Sequence, residues 1–248
     1  MIFDTHAHYD DEAYEEDRED ILKLIRQDGV GLVTDVGATI ASTKKAVALS
    51  EQYDFIYAAV GVHPEGVEEL TDQDMDWLCE LAKREKVVAI GEIGLDYYYE
   101  DPKRDIQKIW FRKQLEVARK TGLPVVIHSR DAAQDTLDII KEEHGEQIGG
   151  VIHCFSYGKE MAQVYLDMGF YLGIGGVVTF KNGKKLKEVV KCTPIERIVL
   201  ETDAPYLTPE PNRGKRNASH YLKYVAQEIA QLKGMTAKEV IAVTTKNA

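Results

Sequence analysis

Val87-Val88-Ala89-Ile90-Gly91-Glu92 decides how this chain is built. Side chains alternate across a strand, so four consecutive apolar residues make both faces of this one apolar. Strands of that kind belong to parallel sheets covered on both sides. The run then stops on a carboxylate. Pro124-Val125-Val126-Ile127 repeats the pattern and stops on His128, Gly150-Val151-Ile152 stops on His153, and Ile198-Val199-Leu200 runs into Glu201-Thr202-Asp203. At the start, Met1-Ile2-Phe3 leads into Asp4-Thr5-His6-Ala7-His8. Imidazoles and carboxylates at the carboxyl ends of successive buried strands converge on one point only if those strands are parallel.

Working outward, strand-like and helix-like segments alternate along the whole chain. Strands are expected near 1–6, 30–37, 55–61, 87–92, 124–128, 150–153, 170–174 and 197–201. Amphipathic stretches lie between them at 15–28, 42–53, 71–85, 103–121, 131–144, 159–168 and 183–192, followed by 217–233. Within 103–121, Ile106, Ile109, Trp110, Leu115 and Ala118 are expected on one face, and Gly122 then Pro124 end the helix. Eight strands with intervening helices predict an α/β fold, a single (β/α)8 TIM barrel over residues 1–248, whose usual size is roughly 250 residues. No glycine-rich phosphate fingerprint follows the first strand, which argues against an open dinucleotide-binding sheet. Thr236 is a candidate N-cap for a last helix still running at Ala248, so further residues are expected beyond it.

The 248 residues carry a net charge of −11, from 42 acidic and 31 basic side chains. A protein that grips duplex by a broad phosphate footprint is usually basic, so that class is disfavoured. A short phosphodiester site served by metal ions and a few local cations remains open. No apolar run approaches the roughly 20 residues of a membrane span. Three widely spaced cysteines, Cys79, Cys154 and Cys192, predict reduced thiols and a cytoplasmic protein.

His6 and His8 stand two apart, so on a strand both rings share a face and suit one ion. With Glu92, His128, His153 and Asp203 they make six potential ligands, too many for one tetrahedral zinc with an open position. Two divalent ions bridged by a carboxylate fit better, with Glu92 as the bridging candidate. The donor set, without cysteine, admits Mg2+, Mn2+, Zn2+ or Fe2+.

Several stretches resemble the TatD family of metal-dependent deoxyribonucleases in the amidohydrolase-like superfamily. They are Asp4–His8, Gly61-Val62-His63-Pro64, Gly91–Tyr97, Pro124–Arg130, His153-Cys154-Phe155-Ser156, Glu201–Leu207 and Arg213-Gly214-Lys215-Arg216-Asn217. The resemblance implies that His6, His8, Glu92, His128, His153 and Asp203 are the metal ligands. It also implies 3′-to-5′ exonuclease activity on DNA, usually with Mg2+. One position departs: two residues after Asn217 the family usually has proline, and this chain has Ser219, which puts the geometry of the following helix in question.

On this reading Asp203 both binds metal and accepts the proton of the attacking water, and Glu201 supports the ligands from behind. His63, aimed out of its strand by Pro64, contacts the substrate phosphate or protonates the leaving group. Phosphate contacts are expected from Arg130, from Arg213 and Lys215, and from Lys181, Lys184, Lys185 and Arg216. Tyr97, Tyr98 or Tyr99 can stack on bases without reading sequence. His144 and His220 read as structural. The expected partner is single-stranded DNA or a frayed 3′ end, with no membrane and no obligate protein partner. The alternative is another ester or amide hydrolysis on the same barrel, such as D-aminoacyl-tRNA deacylation.

Overall fold

A computed structural model describes residues Met1–Ala248. Eight strands follow one another in a single sheet in sequence order. They are β1 (Ile2–Ala7), β2 (Val30–Val36), β3 (Ile56–Val60), β4 (Val87–Asp96), β5 (Val125–Arg130), β6 (Gly150–Ile152), β7 (Tyr171–Ile174) and β8 (Ile198–Leu200). The helices are α1 (Arg18–Gln27), α2 (Ile40–Gln52), α3 (Asp72–Leu81), α4 (Arg104–Thr121), α5 (Ala133–Glu142), α6 (Lys159–Asp167), α7 (Lys184–Cys192), α8 (Leu222–Lys233) and α9 (Ala237–Asn247). The last strand returns beside the first: Thr5 Oγ1 donates to the Leu200 carbonyl (3.0 Å), and Ala7 pairs parallel with Ala204. The architecture is the expected (β/α)8 barrel.

The chain divides into two compact units, one of residues 1–35, 154–167 and 171–248, the other of 36–153 and 168–170. In the second unit Val36, Ala59, Ala89 and Val126, from four successive strands, form one buried apolar cluster. β4 is longer than the expected 87–92, because Gly94, Leu95 and Asp96 pair with His128, Ser129 and Arg130 of β5. Gly94 is obligatory there: its φ is +147°, and a Cβ would lie 1.9 Å from the His128 carbonyl oxygen.

α4 buries Trp110, Leu115 and Ala118 as expected, but not Ile109. Ile109 is 52% exposed, while Gln107 and Gln114 are buried beside Trp110, Phe111 and Ala118. Both amides finish strand ends. Gln107 accepts from the Asp96 amide (2.9 Å) and donates to its carbonyl (2.8 Å), and Gln114 does the same for Val62 (2.8 and 3.0 Å). Backbone groups buried past the last ladder bond need such partners, which apolar periodicity does not register. α9 opens on the expected cap, with Thr236 and Glu239 bonding reciprocally. The 217–233 stretch begins as a short 3-10 turn at Ser219–Tyr221 before α8. No helix is long and apolar enough to cross a membrane.

Candidate metal centre

In the first unit β1 carries His6, the residue just past its end brings His8 alongside, and the chain leaving β8 brings Asp203 to them. Backbone bonds hold the two segments in register: the Asp203 amide donates to the His6 carbonyl (2.9 Å) and the His8 amide to that of Ala204 (2.8 Å). Asp203 has φ +57°, left-handed backbone that aspartate tolerates better than most residues. The two imidazole Nε2 atoms face each other at 3.1 Å, and Asp203 Oδ1 lies 3.4 Å from His8 Nε2 and 3.9 Å from His6 Nε2. Donors about 2.1 Å from one divalent ion stand about 3.0 to 3.4 Å from one another. Two of the three separations fall in that range and the third, 3.9 Å, needs a small inward shift of Asp203, so the trio can serve a metal ion.

Beneath this trio lies Asp4, fully buried. Its Oδ1 accepts the amides of His6 (3.3 Å) and Thr202 (3.0 Å), while Oδ2 accepts the hydroxyls of Thr202 and Ser219, both at 2.6 Å. Burial pushes the carboxyl up to about 7, against the opposing effect of these hydrogen bonds. Ser219 also answers the question raised by the absent proline. Its amide donates to the Tyr9 hydroxyl (2.9 Å), and its Oγ lies 2.8 Å from the same oxygen. The helix start is held by bonds that a proline could not donate.

Glu201 is buried, and its Oε1 accepts the Cys154 amide (2.6 Å). The expected supporting carboxylate therefore ties the loop after β6 to β8. Gly173 makes room for it, since a Cβ there would meet Glu201 Oε2 at 2.1 Å.

In the second unit Glu92 is the hub. Its Oε1 lies 2.7 Å from His128 Nδ1, 3.6 Å from His153 Nε2 and 4.0 Å from His63 Nε2. The other nitrogen of His128 reaches Asp96 Oδ2 at 2.9 Å. Burial works against charge on this ring, but hydrogen bonds to Asp96 and Glu92 outweigh it and lift His128 to about 9. Asp96 shifts the other way: burial raises it, and the bond from His128 brings it below the ordinary carboxylate range. Glu92, His128 and His63 offer ligand atoms within 4.8 Å of one another, and an ion beside Glu92 would take the proton's place on His128. Asp96 holds the opposite nitrogen of that ring and so orients it.

Asp96 was missed from sequence. It stands at even spacing from Glu92 in a continuing strand, so it shares that residue's face, and the longer strand would have revealed it. His63 sits nearer the cluster than a rim residue would. Its Nδ1 accepts the Glu65 amide (3.2 Å), which leaves the neutral ring's proton on Nε2. That places a donor toward Glu92, 4.0 Å away, in the metal-free protein.

The substrate candidates divide. Arg130, at the end of β5, lays its guanidinium 3.7 Å over the Tyr98 ring. Tyr97 is committed elsewhere, its hydroxyl donating to Asp135 (2.6 Å) and its face covered by Arg104. That corrects its assignment as a stacking residue. Arg213 stacks on Phe180 and donates to the Thr208 carbonyl, and Lys215 is exposed with its ammonium 3.2 Å from Asn212 Oδ1. Arg216 forms a bidentate pair with Asp17 (2.9 and 2.5 Å) and is structural. His144 ends α5 in left-handed backbone, and His220 packs against Tyr221.

The family model described as TatD related DNase matches residues 3–248. The chain is similar to the uncharacterized metal-dependent hydrolase YabD of Bacillus subtilis, with 48% identity over all of this chain and 97% of that protein. It is similar to the uncharacterized metal-dependent hydrolase YcfH of Escherichia coli K12, at 37% identity over all of this chain and 94% of YcfH. The crystal structure of YjjV, a TatD homologue from Escherichia coli K12, matches at a TM-score of 0.92 with 30% identity, covering 99% of this chain and 95% of that one. The chain belongs to the TatD family of metal-dependent hydrolases.

Proposed function

We propose that this protein is a DNA 3′-to-5′ exonuclease acting on single-stranded or frayed ends in the cytoplasm. Two divalent ions serve it, Mg2+ for activity. His6, His8 and Asp203 would hold one, and Glu92, His128 and His153 would hold the other, with Asp96 orienting His128 from the opposite ring nitrogen. Such ions lower the pKa of water and neutralise phosphate oxygens. Asp203 accepts the proton of the attacking water on its carboxylate, and His63 Nε2 gives a proton to the departing 3′-oxygen. Arg213 and Lys215 supply further phosphate contacts, and Glu201 steadies the site from behind. The observation that carries the reading is Arg130, an exposed cation two residues past His128 and stacked on an aromatic ring. The description of the matching family as DNases supports it.

A second reading rests on a different feature. An open surface hollow of about 850 Å³ in the first unit, two residues along the chain from Asp203, is lined by Asp11, Glu12, Glu15, Glu16 and Asp17 together with Pro205, Tyr206 and Arg216. Acidic walls favour a substrate carrying positive charge, such as the ammonium of an aminoacyl ester. The test is to strip the protein of metal and reload it with each candidate ion. It is then offered 3′- and 5′-labelled single-stranded and duplex DNA, and a D-aminoacyl-tRNA. Nucleotides released from the 3′ end are the expected result. Release from the 5′ end first, or turnover of the tRNA ester alone, overturns it.

A further inference from the structure

We propose that Tyr98, Tyr99 and Arg130 form a stacking subsite for the penultimate nucleotide of a single-stranded 3′ end, the one retained after cleavage. The inference rests on the nuclease reading and names where the strand runs.

Single exposed apolar side chains are ordinary, but neighbouring ones make a patch, and here two adjacent rings are open: Tyr98 is 57% and Tyr99 52% exposed. Their rings meet edge to face, with centroids 4.8 Å apart. The Arg130 guanidinium lies over the Tyr98 ring at 3.7 Å and forms neither an ion pair nor a hydrogen bond with a protein acceptor. In a chain of net charge −11 such a cation has many carboxylates to choose from, yet it keeps its N–H groups free. Arg112 and Arg216, by contrast, are each tied to acidic side chains.

The patch is joined to the candidate metal cluster by one carboxylate. Asp96 Oδ2 bonds His128 Nε2, and Asp96 Oδ1 accepts the Tyr98 amide at 2.9 Å. Arg130 is the cross-strand partner of Asp96 and lies two residues past His128 on β5. Open aromatic faces, with a planar cation able to fork onto a phosphate, recognise an unpaired base and its linkage together. With the scissile linkage at the metal cluster, the solvent-facing rings would seat the base on its 5′ side, the one that stays with the strand. A base held in duplex could not reach them.

The test compares two single-stranded oligodeoxynucleotides that differ only in carrying a normal or an abasic penultimate residue. The proteins are the metal-reloaded wild type, the Tyr98→Ala/Tyr99→Ala double variant and Tyr98→Trp. The wild type should show a KM at least about fivefold lower for the normal strand, with kcat little changed. The double variant should not distinguish the two strands, and Tyr98→Trp, which keeps an aromatic face, should retain the preference. Equal preference in wild type and double variant overturns the subsite, as does an equal fall in kcat on both strands.

Binding of a hydrolysis-resistant phosphorothioate strand, followed by fluorescence anisotropy, separates the subsite from the nuclease reading. Should the wild type release no nucleotides, that reading fails. The subsite still stands if the double variant binds the strand at least about fivefold more weakly, and falls if the two bind alike.

Discussion

The Ser219 hydroxyl donates to Asp4 Oδ2 at 2.6 Å, joining the turn before α8 to the strand that carries His6 and leads into His8. A carboxylate sealed in the protein depends on such donors. Ser219→Ala should lower stability by about 1–3 kcal/mol in urea denaturation. Asp4 has a raised pKa of about 7, so it is neutral at pH 5 and charged at pH 8.5. Donors favour the charged form, and the loss in EDTA should therefore be larger at pH 8.5 than at pH 5. An equal loss at both would show that Asp4 does not titrate between them.

Asp203→Asn keeps a side chain that also tolerates left-handed backbone. It removes the proton acceptor and weakens a ligand. We expect kcat for nucleotide release to fall by at least about 100-fold while an oligonucleotide still binds. Hydrolysis near the wild-type rate would remove Asp203 from its assigned role.

In the metal-free protein His128 carries its proton up to about pH 9, so an ion bound there must displace it. Titration calorimetry at pH 7.5 in two buffers of different ionisation enthalpy should report about one proton released per ion bound at that cluster. Affinity should weaken as pH falls below 9. Asp96→Asn takes away one of the two bonds that raise His128, and should reduce the proton release at this pH. Ion binding with no released proton would exclude His128 as a ligand.

Gln114 both donates to and accepts from the Val62 backbone, one residue before His63. Gln114→Leu preserves bulk but strands two buried backbone groups. A loss of about 2–4 kcal/mol is expected in thermal or urea unfolding. Because His63 leans on this strand end, kcat should fall as well. Unchanged melting would mean that water replaces the amide.

The barrel was legible because its signal is local and repeated. Val87–Ile90 and Val125–Ile127 are apolar on both faces, which only a covered parallel sheet accommodates. Six of the site residues could be listed for the same reason, each standing where an apolar run stops. Strand parity alone placed His6 beside His8. Asp96 escaped because β4 was ended at Glu92, and its last residues owe their strand form to pairing with β5. The buried glutamines of α4 escaped because their partners are backbone groups more than ten residues away.

Chain order alone settled the alternation of strand and helix, the parallel sheet and the residues able to bind metal, since periodicity and strand-end chemistry are properties of neighbours. It was the tertiary structure that sorted those residues into His6–His8–Asp203 and the group around Glu92. It also turned Tyr97 inward while leaving Tyr98 and Tyr99 open, and it left Arg130 unpaired where Arg216 is bound. Hydrogen bonds and ion pairs between distant segments decide which polar groups are spent on the fold. Those left over are what the protein can offer a ligand.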